Sequence, residues 1–312
     1  MNAENRTAVE RIEANLGSVI KGKSEIVRLV LISQMAGGHV LLEDSPGTGK
    51  TTLAKSLARS IGGIFRRIQF TPDLLPADII GSNLYNPRDG SIEFREGPVF
   101  ANIVLADEIN RSSPRTQSAL LEVMSENQIT VDGLRRELPK PFFVIATQNP
   151  SDYHGTYPLP EAQLDRFAIR VTLGYPDFDH ELEILFGQAQ QHPFEKLQAV
   201  ASSSEIIAVQ HAVRAIRVDR SVAEYLLRIT QATRSDVRLK LGISPRGSLA
   251  LYRTSQSRAA LEGRDFVLPE DVRAMAKPVL AHRLMLDTKA KYGGLLAESI
   301  VDEILDSVPV PR

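Results

Sequence analysis

V-L-L-E-D-S-P-G-T-G-K-T-T, residues 40–52, is a short apolar run followed by a glycine-rich loop and a lysine with two threonines. The pattern is that of a strand, a phosphate-cradling loop and a helix start. A triphosphate needs several backbone N–H groups turned toward it, and Gly47 and Gly49 permit the tight turns this requires. Ser45, Pro46 and Thr48 complete the loop. Lys50 supplies a mobile positive charge for the β- and γ-phosphates, and the Thr51 hydroxyl suits a Mg²⁺ ligand. Thr52 begins the next turn of a helix whose N-terminal partial charge also favours phosphate. The strict pattern G-x-x-x-x-G-K-[ST] places glycine at 44, where this chain has Asp44, a residue that tolerates unusual φ.

Downstream, Ile103-Val104-Leu105-Ala106 leads into the adjacent acids Asp107 and Glu108. Beside a phosphate loop, two carboxylates at a strand end have separate tasks. Asp107 would hold Mg²⁺, and Glu108 would polarise the attacking water. A further apolar run, Phe142 to Ala146, ends in Thr147-Gln148-Asn149-Pro150. Asn149 is placed to orient that water, and an Asn-Pro turn is the alternative reading of the same residue.

Five short apolar runs are separated by helical or irregular segments: Val40–Leu42, Ile64–Phe70, Ile103–Ala106, Phe142–Ala146 and Ile169–Leu173. They predict an α/β domain with a largely buried parallel sheet. After Tyr175-Pro176 the pattern becomes amphipathic, over Glu181–Gln190, Glu205–Ile216, Val222–Thr233 and Ser248–Leu261, so the second part is expected to be all helical. Residues 1–175 and 176–312 are thus read as two domains. Ser202 with Glu205 forms a candidate capping box, and Pro245 and Pro269 suit helix starts. Asp89-Gly90 and Asp132-Gly133 each sit between alternating apolar positions and predict two β-hairpins.

The 312 residues, 43% of them hydrophobic, suffice for a sizeable core. A formal net charge of -1 argues against a general polyanion-binding surface. No cysteine is present, which excludes disulfides and thiolate chemistry. Neither a secretory h-region nor a stretch of membrane-spanning length is evident, so a cytoplasmic protein is expected. His39, His154, His180, His192, His211 and His282 lack metal-ligand spacing, and Arg66-Arg67 and Arg135-Arg136 read as solvated basic pairs.

Together the phosphate loop with Asp44, L-A-D-E-I-N-R at 105–111, P-R-T-Q-S-A-L-L-E-V-M at 114–124, A-T-Q-N-P at 146–150, L-P-E-A-Q-L-D-R-F at 159–167 and S-P-R at 244–246 resemble the MoxR family of AAA+ ATPases. The resemblance spans nearly the whole chain. It implies a five-stranded parallel sheet of order 5-1-4-3-2 with an all-α lid, binding ATP and Mg²⁺ in a hexameric ring. It also implies roles: Asn149 as sensor 1, Arg166 as an arginine finger reaching a neighbouring subunit, and Arg246 as sensor 2 contributed by the chain's own lid. Val19 and Ile20, in V-I-K-G, match the segment whose backbone reads adenine, with an ordinary turn as the alternative. The two hairpins match a helix-2 insert and the hairpin before sensor 1, both directed at a pore or client.

The implied activity is Mg-ATP hydrolysis coupled to chaperone-like remodelling or maturation of a client, with a von Willebrand factor A domain protein as partner and no nucleic acid. Three alternatives remain at this point: a nucleic-acid motor, which DNA would stimulate; a magnesium-chelatase-like motor subunit; and a nucleotide-gated scaffold that hydrolyses poorly.

Overall fold

The computed structural model describes residues 3–149, 156–189 and 192–311; Pro150, His154 and Gln190, named above, lie outside them. Two helices open the chain, α1 (Ala3–Val19) and α2 (Ser24–Met35), followed by β1 (Val40–Glu43), α3 (Lys50–Ser60) and β2 (Phe65–Gln69). Next come α4 (Pro76–Ile80), β3 (Gly81–Tyr85), β4 (Ile92–Glu96), β5 (Ile103–Asp107) and α5 (Pro114–Glu126). The hairpin β6 (Gln128–Val131) and β7 (Leu134–Glu137) precedes β8 (Phe143–Gln148), α6 (Glu161–Leu164) and β9 (Ile169–Val171). The remainder is α7 (Phe178–Gly187), α8 (Pro193–Lys196), α9 (Ser203–Arg214), α10 (Arg220–Ser235), β10 (Leu239–Leu241), α11 (Pro245–Leu261), α12 (Pro269–Leu280), β11 (Met285–Leu286), α13 (Thr288–Tyr292) and α14 (Ala297–Ser307).

Five parallel strands lie in the order β2-β5-β8-β1-β9, which is 5-1-4-3-2 when they are counted along the chain. β5 is buried at every position, as a central strand covered on both faces must be. Alternate side chains feed two cores. Val40, Leu42, Ile103, Leu105, Phe143 and Ile145 face the layer that includes α1, α2 and the C-terminal helices. Leu41, Val104, Ala106, Val144 and Ala146 face α5 and its surroundings. Fully burying each Leu, Val or Ile contributes about 1.5–3 kcal/mol, so this alternation fixes the register of the sheet.

The first core cluster continues without a break from the sheet into the helices after position 175. Polar ties reinforce it: the Ser257 hydroxyl on α11 donates to the Ile32 carbonyl at 2.8 Å, and Gln210 Nε2 on α9 to the Gln34 carbonyl at 2.7 Å. The lid is therefore docked behind the sheet, on α1 and α2. Its helix starts follow the sequence signals, with a capping box at Ser202 and Glu205 and with Pro245 and Pro269 as first helical residues. One expectation needs correction, because the lid is not wholly helical. β10 and β11 pair as an antiparallel ribbon, too short for a period-2 pattern to register in the sequence.

Both Asp-Gly hairpins are formed, β3 with β4 and β6 with β7. They lean on each other: Asn83 Nδ2 donates to Asp132 Oδ2 at 2.5 Å, and the Arg136 guanidinium lies 3.9 Å over the Phe94 ring. Arg136 is thus a packed side chain, contrary to the solvated pair expected. Tyr85 and Ile92, directly opposed across the first hairpin, are 68% and 69% exposed. Among the described residues, no helix is long and apolar enough to cross a membrane.

His39, just before β1, is fully enclosed. Its Nδ1 accepts from the Val144 N–H at 3.1 Å, and its Nε2–H donates to the Met124 carbonyl at 3.0 Å. Burial pushes its pKa down from 6.5 to about 4. A depressed folded-state pKa gives stability that is complete above the unfolded value and lost as pH falls through the folded one. Between pH 6.5 and 4 the wild type is expected to lose about 3 kcal/mol from this group. Urea unfolding across that range, with His39→Gln as the flatter comparison, checks it.

Candidate functional site

β1 lies between β8 and β9 and ends at Glu43, so the chain leaves the parallel sheet at the same edge as β8 and the next strand, β5. Parallel topology thereby gathers three loops at one edge, the usual place for a ligand in an open α/β sheet. A cavity of about 370 Å³ opens there. From the loop and α3 it is lined by Asp44, Pro46, Gly47, Gly49, Lys50, Thr51 and Thr52; from the strand ends by Asp107, Glu108, Thr147, Gln148 and Asn149.

Gly47 and Gly49 stand at φ 86 and 96, and a Cβ at either would point into open space. Glycine is needed there for its backbone alone, as a loop presenting N–H groups to phosphate demands. Gly49 is the N-cap of α3, which aims the helix N-terminus at the cavity. Lys50 Nζ donates to the carbonyls of Asp44 and Ser45 at 3.0 and 2.8 Å, within the loop it would leave for a phosphate. Thr48 Oγ1 donates to the Ser45 carbonyl at 3.3 Å, closing the loop on itself. The cradle, the lysine and the helix start fit a nucleotide triphosphate; Thr51 and Asp107, oxygen donors on opposite walls, fit a hard divalent cation.

Asp44 has a different reason from the one expected. Its φ is not positive; its carboxylate is what matters, accepting from the Ser45 N–H at 2.8 Å and from the Gly174 N–H at 2.7 Å. One side chain thus shapes the loop and ties it to the segment leaving β9. Lys23 Nζ donates to the Tyr175 carbonyl at 2.7 Å and holds that same segment.

Asp107 Oδ2 accepts from Nη2 and Nε of Arg67 at 2.6 and 3.0 Å, and Oδ1 accepts the Thr147 hydroxyl at 2.6 Å. Thr147 in turn accepts the Glu108 N–H at 2.8 Å. That bond pins Glu108 in the left-handed region, φ 57 and ψ 49, a conformation that costs a non-glycine residue about 1–3 kcal/mol. The Glu108 carboxylate accepts from Gln69 Nε2 at 2.8 Å and pairs with Arg111 at 3.3 Å. Arg67, Gln69 and Thr147 belong to the site and were missed in the sequence. Strand pairing brings them there, with Gln69 on β2 in register with Asp107, which the local sequence does not encode. Arg67 keeps about half of its side chain in solvent while it holds Asp107.

Val19, the last residue of α1, and Ile20 just after it are buried core residues and do not line the phosphate cavity. Arg166 also lies outside it, its Nη1 donating to the Leu121 carbonyl. Arg246 is exposed in the first turn of α11 and does not line this cavity in its own chain. α11 starts instead beside Asp165, whose Oδ2 accepts the hydroxyl of Ser244 at 2.9 Å. The docking of the lid on α1 and α2, a matter of distant contacts, decides this.

A family profile described as "ATPase family associated with various cellular activities (AAA)" matches residues 39–169, and an "AAA lid domain" profile matches 231–304. Chaperone MoxR1 of Mycobacterium tuberculosis is 38% identical over 97% of this chain and 82% of its own length. The chain belongs to the MoxR family of AAA+ ATPases. Another relative, the Bacillus subtilis protein YeaC, is 51% identical over 95% of this chain and 93% of its own. A crystal structure of a candidate ATPase from Cytophaga hutchinsonii superposes with a TM-score of 0.92 at 36% identity, covering 99% of this chain and 96% of that one. The MoxR-family assignment carries nucleotide binding and general ATPase character with it, and it agrees with the sheet, the lid and the phosphate loop described above.

Proposed function

We propose that this MoxR-family chain is a Mg²⁺-dependent ATPase that works as a ring, hexameric by family resemblance. It would couple hydrolysis to the remodelling or maturation of a client, together with a von Willebrand factor A domain protein. The observation that carries the catalytic part is the convergence of Lys50, Thr51, Asp107, Glu108 and Asn149 on one cavity at the sheet edge. Residues 1–175 would act as the nucleotide-binding unit and 176–312 as the lid.

In this reading Lys50 and the loop N–H groups hold the β- and γ-phosphates, and Asn149 orients the attacking water. Glu108 polarises that water and takes its proton. Mg²⁺, held by Thr51 and Asp107, would neutralise charge on the phosphate oxygens. Val19 and Ile20 would meet adenine through their backbone, at the opposite side of the loop. Arg166, next to Asp165 in the chain, and Arg246, two residues after the Ser244 that bonds Asp165, both lie outside their own cavity and would serve the nucleotide of the adjoining copy. The exposed Tyr85 and Ile92 on the insert hairpin suit contact with an apolar stretch of client.

Arg67 donates to the Asp107 carboxylate that would hold the cation, and would compete with it. Arg67→Ala is expected to lower the Mg²⁺ concentration half-saturating ATP binding by about two- to fivefold, as a partly exposed ion pair of roughly 0.4–1 kcal/mol implies. A fluorescent ATP analogue titrated at several Mg²⁺ concentrations measures it.

The functional test is stimulation of ATP turnover. Stimulation by the von Willebrand factor A domain protein, with none by double-stranded DNA, supports the remodelling reading; stimulation by DNA alone favours a nucleic-acid motor. The near-neutral net charge of -1 favours the first outcome.

A further inference from the structure

Asp165 immediately precedes Arg166 and does not line the phosphate cavity. Its carboxylate meets two parts of the lid at once. Oδ1 accepts from Arg283 Nε at 2.9 Å, and Oδ2 accepts from the Ser244 hydroxyl at 2.9 Å. Ser244 is the N-cap of α11, its Oγ accepting the Gly247 N–H at 3.1 Å, so the carboxylate is joined through one hydroxyl to the turn that carries Arg246.

Arg283 closes the arrangement from inside. Its side chain is 2% exposed. Nη2 donates to the carbonyls of Asp165 and Phe167, and Nη1 to those of Ala168 and Val279, so one guanidinium grips both residues flanking Arg166 and the end of α12. Slack is excluded by packing: a Cβ on Gly247 would lie 3.0 Å from Arg283 Cδ and 2.8 Å from Ile243 Cγ2. Burial lowers the Arg283 pKa to about 10 against the pull of Asp165, so the guanidinium stays charged at neutral pH.

A buried ion pair is a poor way to gain stability compared with apolar packing, but it is directional. The lid has other anchors on α2, through Ser257 and Gln210. What the pair adds is a fixed relation between the Arg166 segment and the first turn of α11. We infer that Asp165, Ser244 and Arg283 form a positioning node that holds Arg166 and Arg246 as one rigid unit, so that both arginines reach the neighbour's nucleotide together. This rests on the proposal that Arg166 acts across a subunit interface.

The node predicts a defect on the arginine side of the shared site with the phosphate-loop side intact. In Asp165→Asn and Arg283→Lys, ATP affinity and assembly size are expected to stay within twofold of wild type, while kcat falls at least about tenfold, since small displacements of a positioned group are costly in rate. KM should change little. Mixed with Glu108→Gln subunits, Asp165→Asn subunits should regain turnover; mixed with Arg166→Ala subunits they should not. Ser244→Ala, which removes a single hydroxyl, should show the same pattern at smaller amplitude and decides the matter if Asp165→Asn does not assemble. Wild-type kcat in these variants overturns the node, as does recovery with Arg166→Ala subunits but not with Glu108→Gln. If Arg166→Ala subunits regain turnover with Glu108→Gln while Asp165→Asn and Ser244→Ala subunits do not, only the node falls. If Arg166→Ala also fails in verified mixed rings, the interface proposal falls and the node with it.

Discussion

Glu108→Gln is expected to bind ATP as tightly as wild type while losing turnover by about 10²–10⁴, the usual contribution of a positioned general base. The substitution keeps size and hydrogen-bonding capacity and removes only the charge that polarises water. Phosphate affinity comes from elsewhere, from the loop, Lys50 and the start of α3. Gln69 and Arg111 hold the Glu108 carboxylate, and the Thr147 hydroxyl fixes its backbone, so the variant should keep the same local geometry. Equilibrium binding of a fluorescent ATP analogue, set against phosphate release, separates the two effects. Equal loss of affinity and turnover would mean that Glu108 shapes the cavity and does no proton chemistry. Lys50→Ala provides the contrast, with affinity itself lost.

The second large effect concerns Arg166. Arg166→Ala should cut turnover by about 10³–10⁵, the range contributed by arginine fingers in other phosphate-loop enzymes, with ATP binding retained. Two observations motivate the expectation. Arg166 lies outside the cavity of its own chain, and its backbone is clamped by buried hydrogen bonds from Arg283 to the residues on either side. A residue fixed so firmly and turned away from its own site is suited to complete another. Glu108→Gln and Arg166→Ala subunits, each inactive alone, should then regain activity when mixed, because some interfaces pair an intact acid with an intact arginine. Failure of verified mixed assemblies to recover would return Arg166 to a structural role.

The parts of this molecule legible in sequence are those set by local rules. The inner strands β1, β5 and β8 are legible because burial on both faces makes each a nearly continuous apolar run. The Asp-Gly hairpins are legible because only certain residues take φ above zero, and Asp132, Gly133 and Gly90 do so here. Lys50 at the helix start and Asp107, Glu108 and Asn149 after two strands stand out as candidates because phosphate chemistry uses those residue types at such places, and all four line one cavity. What escaped depends on partners distant in sequence. Asp44 meets Gly174, and Arg67 meets Asp107, through pairings that no local pattern encodes. The place of Arg246 outside the cavity of its own chain is not legible either, because a motif names a residue's kind and not the face on which its helix docks. That docking is settled by contacts such as Ser257 with Ile32, 225 residues apart.

The central claim is an ATPase whose active site is completed by assembly. Its most direct test is the ATP turnover of the purified wild-type protein as concentration rises, with assembly size followed in the same samples. The account predicts that activity per subunit climbs in step with ring formation and reaches a plateau once assembly is complete. Turnover per subunit that is constant from monomer to assembly would contradict it, because a lone chain would then be a complete enzyme.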